Sequence, residues 1–126
     1  FSDNIIINLQ KKKKIKVLTD VNFNPILLDD LSKIIKRMIK TDHYGIYNVC
    51  SNEKLSKINL AKKIADKFNL PKKLIIPIKR SISKTKRPKN MVLSNNKLKR
   101  KFKIKKNSID NQIDLMFKTK KFNLIN

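Results

Sequence analysis

Hydrophobic positions in this chain recur at two spacings, and the breaks between them mark out the elements. Leu27, Leu28, Leu31, Ile34, Ile35, Met38 and Ile39 fall at steps of three and four, which puts them on one face of a helix. Asp29 and Asp30 stand in its first turn and Lys36, Arg37 and Lys40 near its end, as the helix dipole favours. Pro25 disfavours helical geometry at Asn24, so the chain enters this helix through an extended loop, Val21 to Ile26. His43-Tyr44-Gly45 makes a turn, and Ile46 to Cys50 has the apolar run of a buried strand. Such a helix needs a sheet to cover its apolar face, and the strands of this chain are too few and too short to do so.

The flanking segments follow the same two periods. Phe1, Ile5, Ile6 and Leu9 predict a short helix over Phe1 to Gln10, and Ile15 to Thr19 alternates as a strand that Asp20 ends. A polar turn, Ser51 to Leu55, precedes Ser56, the N-cap of a helix from Lys57 to Phe68. Asn69 and Pro71 stop that helix. Leu74 to Ile78 predicts an edge strand or an extended segment because of Pro77. Lys79 to Lys86 is expected to be a mobile basic loop, and Met91 to Leu93 a short strand or extended piece. A helix from Lys97 to Phe102, a basic linker from Lys103 to Asn107 and a last helix capped by Ser108 complete the chain, with a fraying tail from Phe122. Strand and helix alternate, then helices close the chain, which is an α/β arrangement. The loop from Val21 to Ile26 lies between a strand end and a helix start, where open α/β sheets bind ligands.

Charge adds less than its size suggests. The net charge is +23, but it comes from 28 lysines and only 4 arginines. Lys, Ile and Asn make up about half of the 126 residues, and these three share A- and T-rich codons. Nucleic-acid sites favour arginine for bidentate contacts, and here arginine is scarce and the few aromatics do not interleave with the lysines. A solvated basic surface is therefore preferred to a nucleic-acid interface. One glycine rules out a glycine-rich phosphate loop within these residues. One cysteine rules out an internal disulfide, and no apolar run is long enough to cross a membrane.

Candidate chemistry is sparse. His43 is the only histidine; it lies in a helix-to-strand turn beside Tyr44 and is read as a surface turn residue. Cys50 ends an apolar run and is read as a small core residue. Tyr44 and Tyr47 have no lysine three or four residues on, and both are read as packing residues. Arg87, fixed before Pro88, carries a guanidinium suited to a phosphate; a solvated arginine is the plainer alternative.

Taken in order, these features resemble a known pattern: Asp20, Asn24-Pro25, Asp30-Leu31-Ser32, Gly45-Ile46-Tyr47-Asn48, Ser56, Arg87-Pro88-Lys89-Asn90, Leu93 and Lys97-Leu98. The order is similar to the C-terminal half of the extended short-chain dehydrogenase/reductases, and within them to the dTDP-4-dehydrorhamnose reductase family of the sugar-nucleotide-binding group. It spans Phe1 to about Ile104. Val21, Phe23 and Ile26 stand where that family usually has Gln, Gly and Thr, which leaves the particular sugar open.

The resemblance implies the C-terminal part of a Rossmann-like α/β fold, with the dinucleotide-binding half outside these residues. Residues 1–126 would be the substrate-binding half of a cytoplasmic reductase of a 4-keto nucleotide sugar, in deoxysugar and surface-polysaccharide biosynthesis. It further implies NADPH, bound mainly by the other half, and a Tyr-x-x-x-Lys acid/base pair there. Asn22, Asn24, Pro25 and Arg87 would bind substrate, Arg87 near the diphosphate. A homodimer is allowed. Neither a membrane nor a nucleic-acid partner is expected. A non-catalytic subunit of the same fold and a basic nucleic-acid-binding module remain as alternatives. The fragment alone is expected to be inactive, to expose apolar surface and to aggregate or stay molten.

Overall fold

The computed structural model describes residues 1–79, 88–104 and 108–120. Arg87, nearly all of the expected Lys79 to Lys86 loop, residues 105–107 of the basic linker and the tail from Phe122 lie outside the described residues.

Helix α1 (Ser2–Gln10) turns Ile5, Ile6 and Leu9 inward. Strand β1 (Ile15–Leu18) follows and pairs in parallel with β4 (Ile75–Ile78), from Ile15 opposite Ile75 to Leu18 opposite Ile78. Among the described residues β4 has only β1 beside it, so Pro77, which has no N–H to donate, stands at an edge as expected. A second small sheet is built around β2 (Asn22–Phe23). It pairs antiparallel with β3 (Leu55–Ser56) and parallel with β5 (Asn90–Met91).

Helix α3 (Lys57–Lys67) is the centre of the core. Ala61 and Ala65 have no exposed surface and Ile64 almost none, so α1 and the last helix, α5 (Ile109–Lys120), can pack closely against it. Ser56 caps α3, its hydroxyl oxygen accepting the Asn59 N–H at 3.3 Å. At the other end Asn69 takes a left-handed φ of 51°. The Leu70 N–H reaches the Ala65 carbonyl at 2.8 Å and the Asn69 N–H the Asp66 carbonyl at 3.2 Å, so the freed carbonyls are satisfied in a Schellman arrangement. Lys63–Asp110 and Lys67–Asp114, at 2.6 and 2.7 Å, link α3 to α5 along their exposed sides.

The remaining helices, α2 (Leu28–Ile39) and α4 (Asn96–Phe102), share a smaller cluster of Ile34, Leu98 and Phe102, with Met38, Tyr47 and Val49 against it. Here the exposed apolar surface expected of the chain appears, and one expected strand does not. Of the apolar stripe on α2 only Ile34 is buried, whereas Leu28 is 72%, Ile35 45% and Ile39 79% exposed. No described element lies over that side. Ile46 to Cys50 is not a strand, because among the described residues no partner backbone runs beside it. It is tied instead by side-chain amides: Asn48 Nδ2 donates to the Ser94 carbonyl and Asn95 Nδ2 to the Cys50 carbonyl. Smaller differences occur at Met91 to Leu93, where only Asn90–Met91 pairs, and in the Val21 to Ile26 loop, which contains β2. Tyr44 is 88% exposed and is not a packing residue.

Candidate functional site

The chain leaves the carboxyl ends of two neighbouring parallel strands at Leu18 and Ile78. The Thr19 N–H donates to the Ile78 carbonyl at 3.0 Å and ties those ends together. This is where an open α/β sheet offers a crevice. Asn22 lies just beyond, in β2, with an exposed side chain. Its N–H donates to the Lys89 carbonyl at 2.9 Å, so the described stretch that begins at Pro88 runs directly beside it. Asn22 and the residues following Arg87 therefore meet, although Arg87 itself is outside the described residues.

Asn24 does different work. Its Nδ2 donates to the Leu93 carbonyl at 2.9 Å, the Cys50 sulfur at 3.0 Å and the Ser51 carbonyl at 3.2 Å. Its Oδ1 accepts the Leu93 N–H at 3.1 Å. Both ends of the amide are thus engaged in joining three separate segments, and Asn24 shapes the site from behind. Pro25 borders a small cavity of about 80 Å³ against α1, α3 and α5, on the core side of the loop.

Burial pushes the Cys50 thiol above its ordinary 9.0, against the lowering effects of the Asn24 hydrogen bond and the Lys99 charge. A thiol held protonated is a poor nucleophile, in keeping with a core role. His43 packs edge-on against Phe102 at 5.5 Å, as does Tyr47 at 5.0 Å, and Lys97 Nζ lies 4.7 Å from the centre of the Tyr47 ring. The Tyr47 hydroxyl donates to the Tyr44 carbonyl at 3.3 Å. Among the described residues no three His, Cys, Asp or Glu side chains gather as metal ligands.

On the far side of Cys50 a cavity of about 530 Å³ lies between α2, the Cys50–Asn52 segment, α4 and α5. Asn22, Asn24 and Pro25 do not line it. Sequence reasoning missed its residues because they come from four separate segments. One sign was available: Arg37, one of only four arginines, is on its wall.

The sequence matches the family model of the RmlD substrate binding domain over residues 1–122. The chain belongs to this family. No curated protein matches it. Among solved structures, this RmlD substrate-binding domain is similar to dTDP-4-dehydrorhamnose reductase from Bacillus anthracis str. Ames in complex with NADP. That likeness has 24% identity and a TM-score of 0.85, over 94% of this chain and 43% of that one. It is also similar to dTDP-4-dehydrorhamnose reductase from Yersinia enterocolitica, at 20% identity and a TM-score of 0.72, over 88% of this chain and 41% of that one. RMD from Pseudomonas aeruginosa complexed with NADPH gives 17% identity and 0.70, over 98% and 41%. The domain thus has the fold of the C-terminal part of extended short-chain dehydrogenase/reductases, and it spans less than half the length of these structures.

Proposed function

We propose that this domain forms the substrate-side wall of an NADPH-dependent reductase of a 4-keto nucleotide sugar, acting in deoxysugar and surface-polysaccharide biosynthesis. The observation that carries the reading is the match to a substrate-binding domain over residues 1–122. The convergence of Asn22 with the Pro88–Asn90 stretch at the strand ends supports it. In this reading Asn22 and Arg87 touch the substrate, Arg87 at the diphosphate. Asn24 and Pro25 hold the loop in shape. The cytoplasm, where NADPH is available, is the place of action. Among the described residues no helix is long and apolar enough to cross a membrane.

The residues of this chain do not fit the cofactor. Gly45, the single glycine, takes a φ of 127° in an exposed turn, and no glycine-rich phosphate loop can be made from it. Neither tyrosine stands four residues before a lysine. NADPH and the proton donor of this reading are therefore supplied by residues outside these 126, and no residue here is assigned a catalytic step.

The test uses protein expressed from the complete reading frame that contains residues 1–126. NADPH oxidation should depend on an added dTDP-4-keto-6-deoxy sugar. Arg87→Ala should raise KM about tenfold to a hundredfold while leaving kcat nearly unchanged, as expected for loss of a charge-assisted contact made in ground and transition states alike. Binding of the nucleotide sugar without any NADPH oxidation would overturn the enzyme reading in favour of a binding subunit.

A further inference from the structure

Helix α2 buries only part of its apolar stripe: Ile34 is buried and Leu27 and Met38 pack inward, whereas Leu28, Ile35 and Ile39 point to solvent. Beside Ile34, the polar residues Asp30, Lys33 and Arg37, spaced at three and four, line the 530 Å³ cavity. That volume lies within the range of small-molecule sites, about 300–1,000 Å³.

The walls divide by chemistry. Ile26, Ile34, Leu98 and Ile104 form an apolar surface. Asn52, Asn95 and Gln112 supply side-chain amides. Two of these amides are held in place. Gln112, only 5% exposed, accepts the Leu27 N–H at 2.7 Å. Asn95, 8% exposed, donates to the Cys50 carbonyl at 2.9 Å and to Asn52 Oδ1 at 3.1 Å. Lys33, Arg37 and Lys103 bring three positive charges against the one carboxylate of Asp30, which lies 3.9 Å from Lys33. Lysine is everywhere in this chain and carries little information by itself. An arginine one helical turn from a lysine, on the wall of a cavity with fixed amides, carries more. A guanidinium matches phosphate oxygens in a bidentate fork.

We propose that this cavity binds a nucleoside phosphate, at a site separate from the Asn22 loop. The ring system would lie against Ile34, Leu98 and Ile104 with the amides at its hydrogen-bonding edge. The phosphate would meet Arg37 and Lys33. Calling the site a second one rests on the reductase reading, which puts the substrate at the loop; the binding itself does not.

The experiment is equilibrium dialysis of radiolabelled thymidine 5′-diphosphate against the protein from its complete reading frame. The Arg37→Glu/Lys33→Glu variant and inorganic phosphate serve as controls. Lys33 and Arg37 are exposed on α2, so reversing their charge leaves the core intact. The variant should lose one equivalent of bound nucleotide, or bind it about tenfold more weakly. The KM for the nucleotide sugar should not change. Inorganic phosphate should compete poorly, because it cannot use the apolar wall or the amides.

Unchanged nucleotide binding in the variant would overturn the proposal. Equal competition by inorganic phosphate would reduce the site to an anion site and overturn the nucleoside part. A parallel rise in the nucleotide-sugar KM would place the substrate itself in the cavity and overturn a separate site. Should the protein oxidise no NADPH, the reductase reading falls, while loss of nucleotide binding in the variant still supports the cavity.

Discussion

Asn24 was legible as a site residue only in part. Its place before Pro25, between a strand end and a helix, marks the loop. Nothing in the sequence says that Cys50, Ser51 and Leu93, 26 to 69 residues away, will gather around its amide. Asn24→Ala should therefore act on stability, by about 2 kcal/mol, since it leaves part-buried partners unsatisfied. Asn24→Asp makes a sharper test. Its carboxylate would face the Ser51 and Leu93 carbonyls, which raises its pKa in the folded state. The penalty is absent below the unfolded carboxyl value of about 3.9 and complete above the raised value, so the variant should lose stability as pH rises. Denaturant midpoints near pH 4 and near neutrality check the sign; a pH-independent cost would refute the bridging role.

Cys50 gives the opposite end of the pH scale. Its folded thiol titrates above 9.0 because of burial. The folded chain then holds a proton that the unfolded chain releases first. This contribution is whole below about pH 9 and is lost as pH rises through the raised value. The stability difference between wild type and Cys50→Ala should shrink on the alkaline side. Contributions common to both proteins cancel in the difference.

At the scale of elements, spacing located the helices well and their surroundings poorly. Ser56 and Asn69 bracket α3 because a hydroxyl cap and a left-handed residue are local devices that a sequence displays. Ile46 to Cys50 misled because a short apolar run fits a strand, yet a strand exists only where a second backbone runs beside it. The small residues of α3 carry a further expectation. Ala61 and Ala65 are fully buried beneath α1 and α5, and Ala65→Leu should cost about 1–3 kcal/mol by overpacking. Ile64→Ala should cost about 2–5 kcal/mol by leaving a cavity. Lys63→Ala should cost less than about 1 kcal/mol, because the Lys63–Asp110 pair is largely exposed despite its 2.6 Å contact. Thermal midpoints should fall most for Ile64→Ala, less for Ala65→Leu and least for Lys63→Ala. A large effect at Lys63 would show that the α3–α5 contact depends on charge more than on packing.

For the molecule as a whole, the half-covered face of α2 is the point on which most depends. A stripe at steps of three and four tells that a helix has an apolar side; it does not tell whether the cover lies in the same chain. Here Leu28, Ile35 and Ile39 remain 72%, 45% and 79% exposed, and the matched reductase from Bacillus anthracis continues well beyond the 43% that this chain spans. Two surroundings give opposite signs for one variant, Leu28→Gln/Ile35→Gln/Ile39→Gln. In the isolated 126 residues these side chains meet water. Their replacement should raise soluble yield and reduce binding of a hydrophobic dye, with little change in stability. In protein made from the complete reading frame, a covered face would lose apolar burial worth about 1.5–3 kcal/mol for each side chain fully buried there, and the same variant should be markedly destabilised. Urea unfolding of both pairs decides the matter. If the triple variant is neutral in the longer protein as well, the stripe is a true surface of the molecule. If it is destabilising only there, α2 is the element through which this domain joins the rest of its fold.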